Sequence, residues 1–218
     1  KNDLRLTSRM LRIALPLAFS AYARSALSTL EHLLVPRGLK SAGFSADRAL
    51  SGYGTIQGMV MPIISFPACF LMALSELMIP ELTEAQMRGE RAEISHTVRS
   101  LLKKGSGYSL AVALAIFIFA DRLGIAVYSS PEAGHFLRLL APLIPIMYTD
   151  MLCDGCLKGL GQQMWNMGIN VLDALLGVLL VWRVLPVYAL TGYICIIYFN
   201  ECLNFALSML RLRRVIRS

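Results

Sequence analysis

The stretch SGYSLAVALAIFIFAD, residues 106–121, carries no charge until its final aspartate. It is one of six such runs, at about 12–35, 50–80, 106–121, 135–158, 164–185 and 189–211. A helix that crosses a bilayer needs roughly 20 predominantly apolar residues, and the backbone of a lipid-exposed segment must satisfy its own hydrogen bonds. Runs of this kind, repeated along 218 residues, point to an all-α membrane protein with six transmembrane helices. The composition agrees: 56% of the residues are hydrophobic and 16% charged, against about 25% charged in a soluble domain. None of the runs has the short apolar core and small-residue cleavage site of a signal peptide.

Charge placement gives the expected orientation. With the N-terminus inside, the inner segments hold Lys1, Arg5, Arg9, Arg12, Arg88, Arg91, Arg99, Lys103, Lys104, Lys158, Arg211, Arg213, Arg214 and Arg217. The outer segments hold Arg37, Lys40, Arg48, Arg122, Arg138 and Arg183. Fourteen against six places both termini in the cytoplasm. The net charge of +7 is thereby read as basic loops beside anionic headgroups, not as a nucleic-acid surface. Between the second and third runs, ELTEAQMRGERAEISHTVRSLLKK mixes both signs of charge with Ile94, Val98, Leu101 and Leu102. That pattern predicts an amphipathic cytoplasmic linker over 81–104, a helix lying on the inner membrane surface and leading into the third run, with His96 simply solvated.

The polar residues inside the runs carry the functional argument. At about 100° per residue, Glu31, Arg24, Ser28, His32, Ser25 and Thr29 fall within one wedge of about 160°, and the large apolar side chains fill the rest. An arginine near the bilayer centre costs at least about 2.5–3.5 kcal/mol, so Arg24 is expected to be paired or hydrated. Asp150, Asp154 and Lys158 share a face in the fourth run; Asn166, Asn170 and Asp173 do so in the fifth. The sixth carries Asn200, Glu201, Asn204 and Ser208. Interhelical hydrogen bonding accounts for single stripes of this kind. Together they predict a polar interior open to a hydrophilic cargo or an ion, lined by Arg24, Glu31, His32, Asp150, Asp154, Asn200 and Glu201.

The second run places Gly52, Gly54, Gly58, Pro62, Pro67 and Pro80 along one helix, where the prolines predict kinks. These residues also carry a resemblance. YGTIQGMVMPIISFPACFLMALSELMIPELTEA resembles the eighth membrane helix of the polysaccharide-flippase branch of the multidrug/oligosaccharidyl-lipid/polysaccharide exporter superfamily. The likeness is to the family typified by stage V sporulation protein B, kin of the lipid II flippases. LEHLLVPRGLKSAGFSADRALSGYG is similar to the end of the preceding helix and its loop, and LRLLAPLIPIMYTDMLCDGCLKGLGQQMW to the tenth helix and its turn.

Such proteins face two six-helix lobes across a central cavity, and the resemblance implies that this chain is the C-terminal lobe, with an N-terminal six-helix lobe as its partner in the same protein. The first residue, Lys1, is not methionine, which agrees. The implied activity is alternating-access flipping of a polyprenyl-pyrophosphate-linked saccharide or cell-wall precursor in the bacterial cytoplasmic membrane, among membrane lipids. Arg24 would hold the pyrophosphate. A sodium site is implied at Glu31, Asn170, Asp173 and Thr191, with sodium or a proton as coupling ion and no other cofactor.

No enzyme is expected, since the chain has no Walker A loop, HExxH or GxSxG. Cys69, Cys153, Cys156, Cys195 and Cys202 all fall in apolar runs, so CDGC at 153–156 is read as packing and not as redox chemistry. Two alternatives stand beside the flippase: a cation-coupled multidrug exporter of the same fold, and a membrane scaffold that does not transport. The basic Arg24 in the polar wedge favours an anionic cargo.

Overall fold

A computed structural model describes residues 2–41 and 46–217, and every described segment of length is helical. Lys1, residues 42–45 and Ser218 lie outside the described residues, as do the side chains of Arg5, Arg9, Arg12 and Arg217. The elements are α1 (Asn2–Ser41), α2 (Ala46–Thr55), a π-helical turn (Ile56–Val60), α3 (Met61–Arg88), α4 (Arg91–Tyr128), α5 (Pro131–Leu140), a 3-10 turn (Ala141–Leu143), α6 (Ile144–Gly159) and α7 (Gln163–Arg217).

Among the described residues, four stretches are long and apolar enough to cross a membrane: Leu50–Arg88, Arg91–Tyr128, Pro131–Gly159 and Gln163–Ile216. α1, with Arg24, Glu31 and Arg37 in it, is not one of them. Six separate membrane-length helices are therefore not matched among the described residues. The expected fifth and sixth runs belong to one element, α7, of 55 residues. A straight helix of that length would reach roughly 80 Å, far beyond a bilayer. It bends back instead at Ala189, whose φ of 48° and ψ of −131° leave helical geometry three residues after Pro186. Arg211 in its second arm reaches back to Gln162 at its start. The arms, 163–188 and 190–217, therefore run antiparallel.

The amphipathic linker is redrawn as well. Residues 81–88 finish α3, and 91–104 begin α4 without a break into the apolar part. The corner between them is Gly89, at φ 74°, a left-handed conformation that glycine adopts without steric cost. The helix expected to lead into the third run is the first part of α4, and a buried stripe carries it straight through. Ile94, Val98, Leu101, Gly105, Ser109, Ala113, Ile116, Ala120 and Gly124 recur every three or four residues and are buried. Most of that stripe beyond Leu101 is small, as membrane helix interfaces favour, because small residues let backbones approach closely. The rest of the helix surface exposes Leu110, Leu114, Phe117, Ile118, Phe119 and Ile125. Exposed apolar residues on this scale are a surface for lipid, not for water.

Pro67 breaks the hydrogen-bond ladder of α3, as its position predicts. The Tyr148 hydroxyl of α6 donates to the Ile64 carbonyl in that turn at 2.5 Å, and the Tyr108 hydroxyl of α4 donates to the Pro67 carbonyl at 3.0 Å. α1 runs parallel to the first arm of α7, with Arg24 beside Asn170, Glu31 beside Gly177 and Gly38 against Leu185. The α3–α4 corner, the α6–α7 corner and the last turns of α7 accordingly share one end of the bundle.

Candidate functional site

The polar stripes meet along a seam between α1, α6 and the two arms of α7. In α6, Asp150 is only 6% exposed, and its Oδ2 accepts from Asn204 Nδ2 at 2.9 Å. One turn on, Asp154 Oδ1 accepts from the Ser208 hydroxyl at 3.3 Å. Four residues separate both the carboxylates and their partners, so two helices face each other in register, one turn per contact. Across the seam Asn166 is buried, and Asn170 Nδ2 donates to its Oδ1 at 3.2 Å and to its carbonyl at 3.0 Å.

Glu31 enters the seam from α1 where α7 has a glycine. A methyl group at Gly177 would lie 3.0 Å from Asn200 Nδ2 and 3.3 Å from Glu31 Oε2. The missing side chain makes the room in which the Glu31 carboxylate and the Asn200 amide stand against the helix backbone. Gly177→Ala is expected to shift the Asn200 amide and the Glu31 carboxylate by a few tenths of an ångström, and a structure of the variant showing both unmoved would contradict the packing described. Asp173 lies within electrostatic reach of Glu31, Arg24 and Glu201, and Asp154 within reach of Arg24 and Glu201. Five carboxylates and one guanidinium thus share one polar seam in an otherwise apolar bundle.

Arg24 itself is exposed and lines an open cavity of about 430 Å³ between α1 and α7, with Ser25, Ser28, Thr29, Met167 and Asn170 among its walls. Among the described residues no carboxylate stands within ion-pair distance of it; Arg88 pairs with Glu84 and Arg138 with Asp121 elsewhere in the bundle. His32 lies at the far end of the seam. Its Nδ1 and the Tyr53 hydroxyl are hydrogen-bonded at 2.8 Å, the Tyr53 ring meets that of Tyr193 edge to face at 5.2 Å, and Gln57 Nε2 donates to the Tyr193 hydroxyl at 2.5 Å.

Of the residues expected from the sequence, Arg24, Glu31, Asp150, Asp154, Asn170, Asp173, Asn200 and Glu201 lie along the seam, and His32 caps it. Thr191 does not join them. It sits just past the Ala189 bend and lines a different cavity with Glu132 and His135. Asn200 is the α7 residue opposite Glu31, nine positions further on, and at about 1.5 Å per residue that is roughly 13 Å. Asn204 and Ser208 belonged to a recognised stripe without being picked as site residues, although they hold the two α6 carboxylates. Tyr53, Gln57 and Tyr193 were missed outright. The only local sign was Gln57 in the π-helical turn, an irregularity that often marks functional positions and that residue order does not announce. Cys153 and Cys156 are buried free thiols in α6.

Four buried oxygens in or beside the seam accept no hydrogen bond: Asp150 Oδ1, Asp173 Oδ1, Asn200 Oδ1 and Asn204 Oδ1. Hard oxygen donors of this type suit a small cation or a proton. They are not a multi-carboxylate metal cage, because among the described residues no three His, Cys, Asp or Glu side chains are gathered closely enough to hold a metal ion.

Fold and seam together define a multi-helix membrane protein with a charged interior, the class to which exporters belong. Residues 41–182 match the MatE family, and the chain belongs to it. Over 153 residues it is 28% identical to sporulation protein YkvU of Bacillus subtilis (strain 168), covering 70% of this chain and 34% of that protein. Over 182 residues it is 22% identical to stage V sporulation protein B of the same organism, covering 82% and 34%. The chain thus spans about a third of the length of these relatives. No solved structure matches it.

Proposed function

We propose that this chain is the C-terminal lobe of a flippase that translocates a polyprenyl-pyrophosphate-linked saccharide, with Arg24 contacting the pyrophosphate. In this reading α1, the stretches 50–88, 91–128 and 131–159, and the two arms of α7 are the six spans. The observation that carries it is Arg24, an exposed cation on the cavity face of a helix whose opposite side is apolar. The same protein would hold a coupling ion, sodium or a proton, at the seam. Glu31 and Asp173 fit the donor chemistry and lie within electrostatic reach of each other; Asn170 stands about two turns from Glu31, beside Arg24, and Thr191 lies too far along the bundle to join them.

The test is translocation of a lipid-linked saccharide into vesicles carrying the whole protein, with and without a sodium or proton gradient. Asp150→Asn keeps the shape and the Asn204 contact but removes the charge, and is expected to lower gradient-dependent transport about tenfold or more. Unchanged gradient dependence would remove Asp150 from coupling. One observation favours a second reading: carboxylates outnumber cations in the seam, as suits a cationic cargo. Efflux of a cationic dye without any translocation of the saccharide would establish that multidrug exporter instead.

In this orientation the Gly89 corner is cytoplasmic and the end of α1 at Ser41 is external. Single cysteines at Arg91 and Ser41, both exposed, are expected to react with an impermeant thiol reagent from opposite sides of the membrane. Reaction from one side only would overturn the topology.

A further inference from the structure

We propose that the end of the bundle holding the C-terminus of α7 carries a binding site for the phosphate headgroup of an anionic membrane lipid, separate from Arg24. The site is a cavity of about 520 Å³ where the α3–α4 corner, the α6–α7 corner and the last turns of α7 converge. Arg91, Arg211 and Arg214 line it together with Gln86, Gln162 and an apolar wall that includes Leu160. No carboxylate belongs to its described lining. Arg211 and Arg214 bring two guanidinium groups to one cavity, and an anion between them turns their mutual repulsion into attraction.

Arg211 is held ready for such a ligand. Its Nε and Nη2 donate to Gln162 Oε1 at 3.1 and 2.6 Å, and its guanidinium carbon lies 4.8 Å from the centre of the Trp165 ring. Two of its five N–H donors are used and three remain, on a plane whose direction is already fixed. An arginine immobilised beforehand loses less conformational freedom on binding, and its planar fork matches phosphate. The cavity shares no lining residue with the one at Arg24. It lies at the end of membrane-length helices, where basic pockets meet lipid headgroups, and its apolar wall suits the glycerol and first methylenes of a lipid better than a free ion.

The test counts phosphatidylglycerol retained by the purified protein from mixed phosphatidylglycerol and phosphatidylcholine micelles, by native mass spectrometry. Saturable retention of phosphatidylglycerol over phosphatidylcholine is expected. Arg214→Gln, at an exposed position, and Arg211→Gln together should weaken it at least about tenfold. Arg99→Gln and Lys103→Gln together, which remove an equal charge from a different cavity, should change it less than about threefold. Equal loss in the Arg99 and Lys103 variant would mean general surface attraction and overturn the site. Retention of phosphatidylcholine equal to that of phosphatidylglycerol would overturn it too. Binding of inorganic phosphate or glycerol phosphate as tight as that of the lipid would assign the cavity to a soluble phosphate compound and overturn the lipid reading.

Discussion

Arg24→Ala is expected to lower translocation of the lipid-linked saccharide about tenfold to a hundredfold, the loss of one or two charge-assisted hydrogen bonds to a pyrophosphate. Arg24→Lys should retain part of the activity, because the charge survives while the planar fork does not. Both proteins should accumulate and melt like the parent. Arg24 is exposed on the cavity side of α1, with no carboxylate within ion-pair distance among the described residues, so its removal breaks no ion pair and leaves no hole in a packed interior, although Asp154 and Asp173 lose an electrostatic neighbour. The comparison is made at equal protein level in vesicles or cells. Full transport by Arg24→Ala would separate the arginine from the cargo, whatever became of the seam carboxylates.

The largest effect on stability is expected at the corner between α4 and α5. A methyl group at Gly124 would lie 2.5 Å from the Gly134 nitrogen, 2.8 Å from the Ser130 carbonyl oxygen and 2.9 Å from the Gly134 Cα. All three are backbone atoms, which cannot rotate aside as a side chain can. Gly124→Ala must therefore spread the helices or distort their backbone, at a cost of about 1–3 kcal/mol, and Gly124→Val more. Gly107 is the control within the same helix. It has nothing within 4 Å of the same position, so Gly107→Ala should be neutral or slightly stabilising through helix propensity. Thermal unfolding of the two variants in one detergent decides it, and equal melting temperatures would refute the close crossing.

Much of the seam was legible because helical periodicity is a property of one segment. The three- and four-residue spacing of Asp150, Asp154, Asn166, Asn170 and Asp173 puts each set on one face whatever that face meets. The glycine that admits Glu31 was not legible: Gly177 differs from the chain's other glycines only in what stands opposite it. The spacing of Ile94, Val98 and Leu101 was legible as a helix leading into the third run, and these residues lie on the buried stripe of α4. The corner at Gly89, which gives residues 81–88 to α3, was not legible, because the charges on its two sides look alike.

The sequence by itself determined the solvent. Runs of apolar residues too long for any turn commit these segments to helices facing lipid, because lipid leaves backbone groups no other hydrogen-bond partner. It determined too that α1 has one polar side, since rotation per residue is fixed by the helix. The tertiary structure decided which polar sides meet. Asp150 finds Asn204 and Asp154 finds Ser208 only because α7 turns back at Ala189, and His32 finds Tyr53 only because α2 folds against α1. Local spacing orders side chains around a single axis; the distance between two axes depends on every residue packed between them.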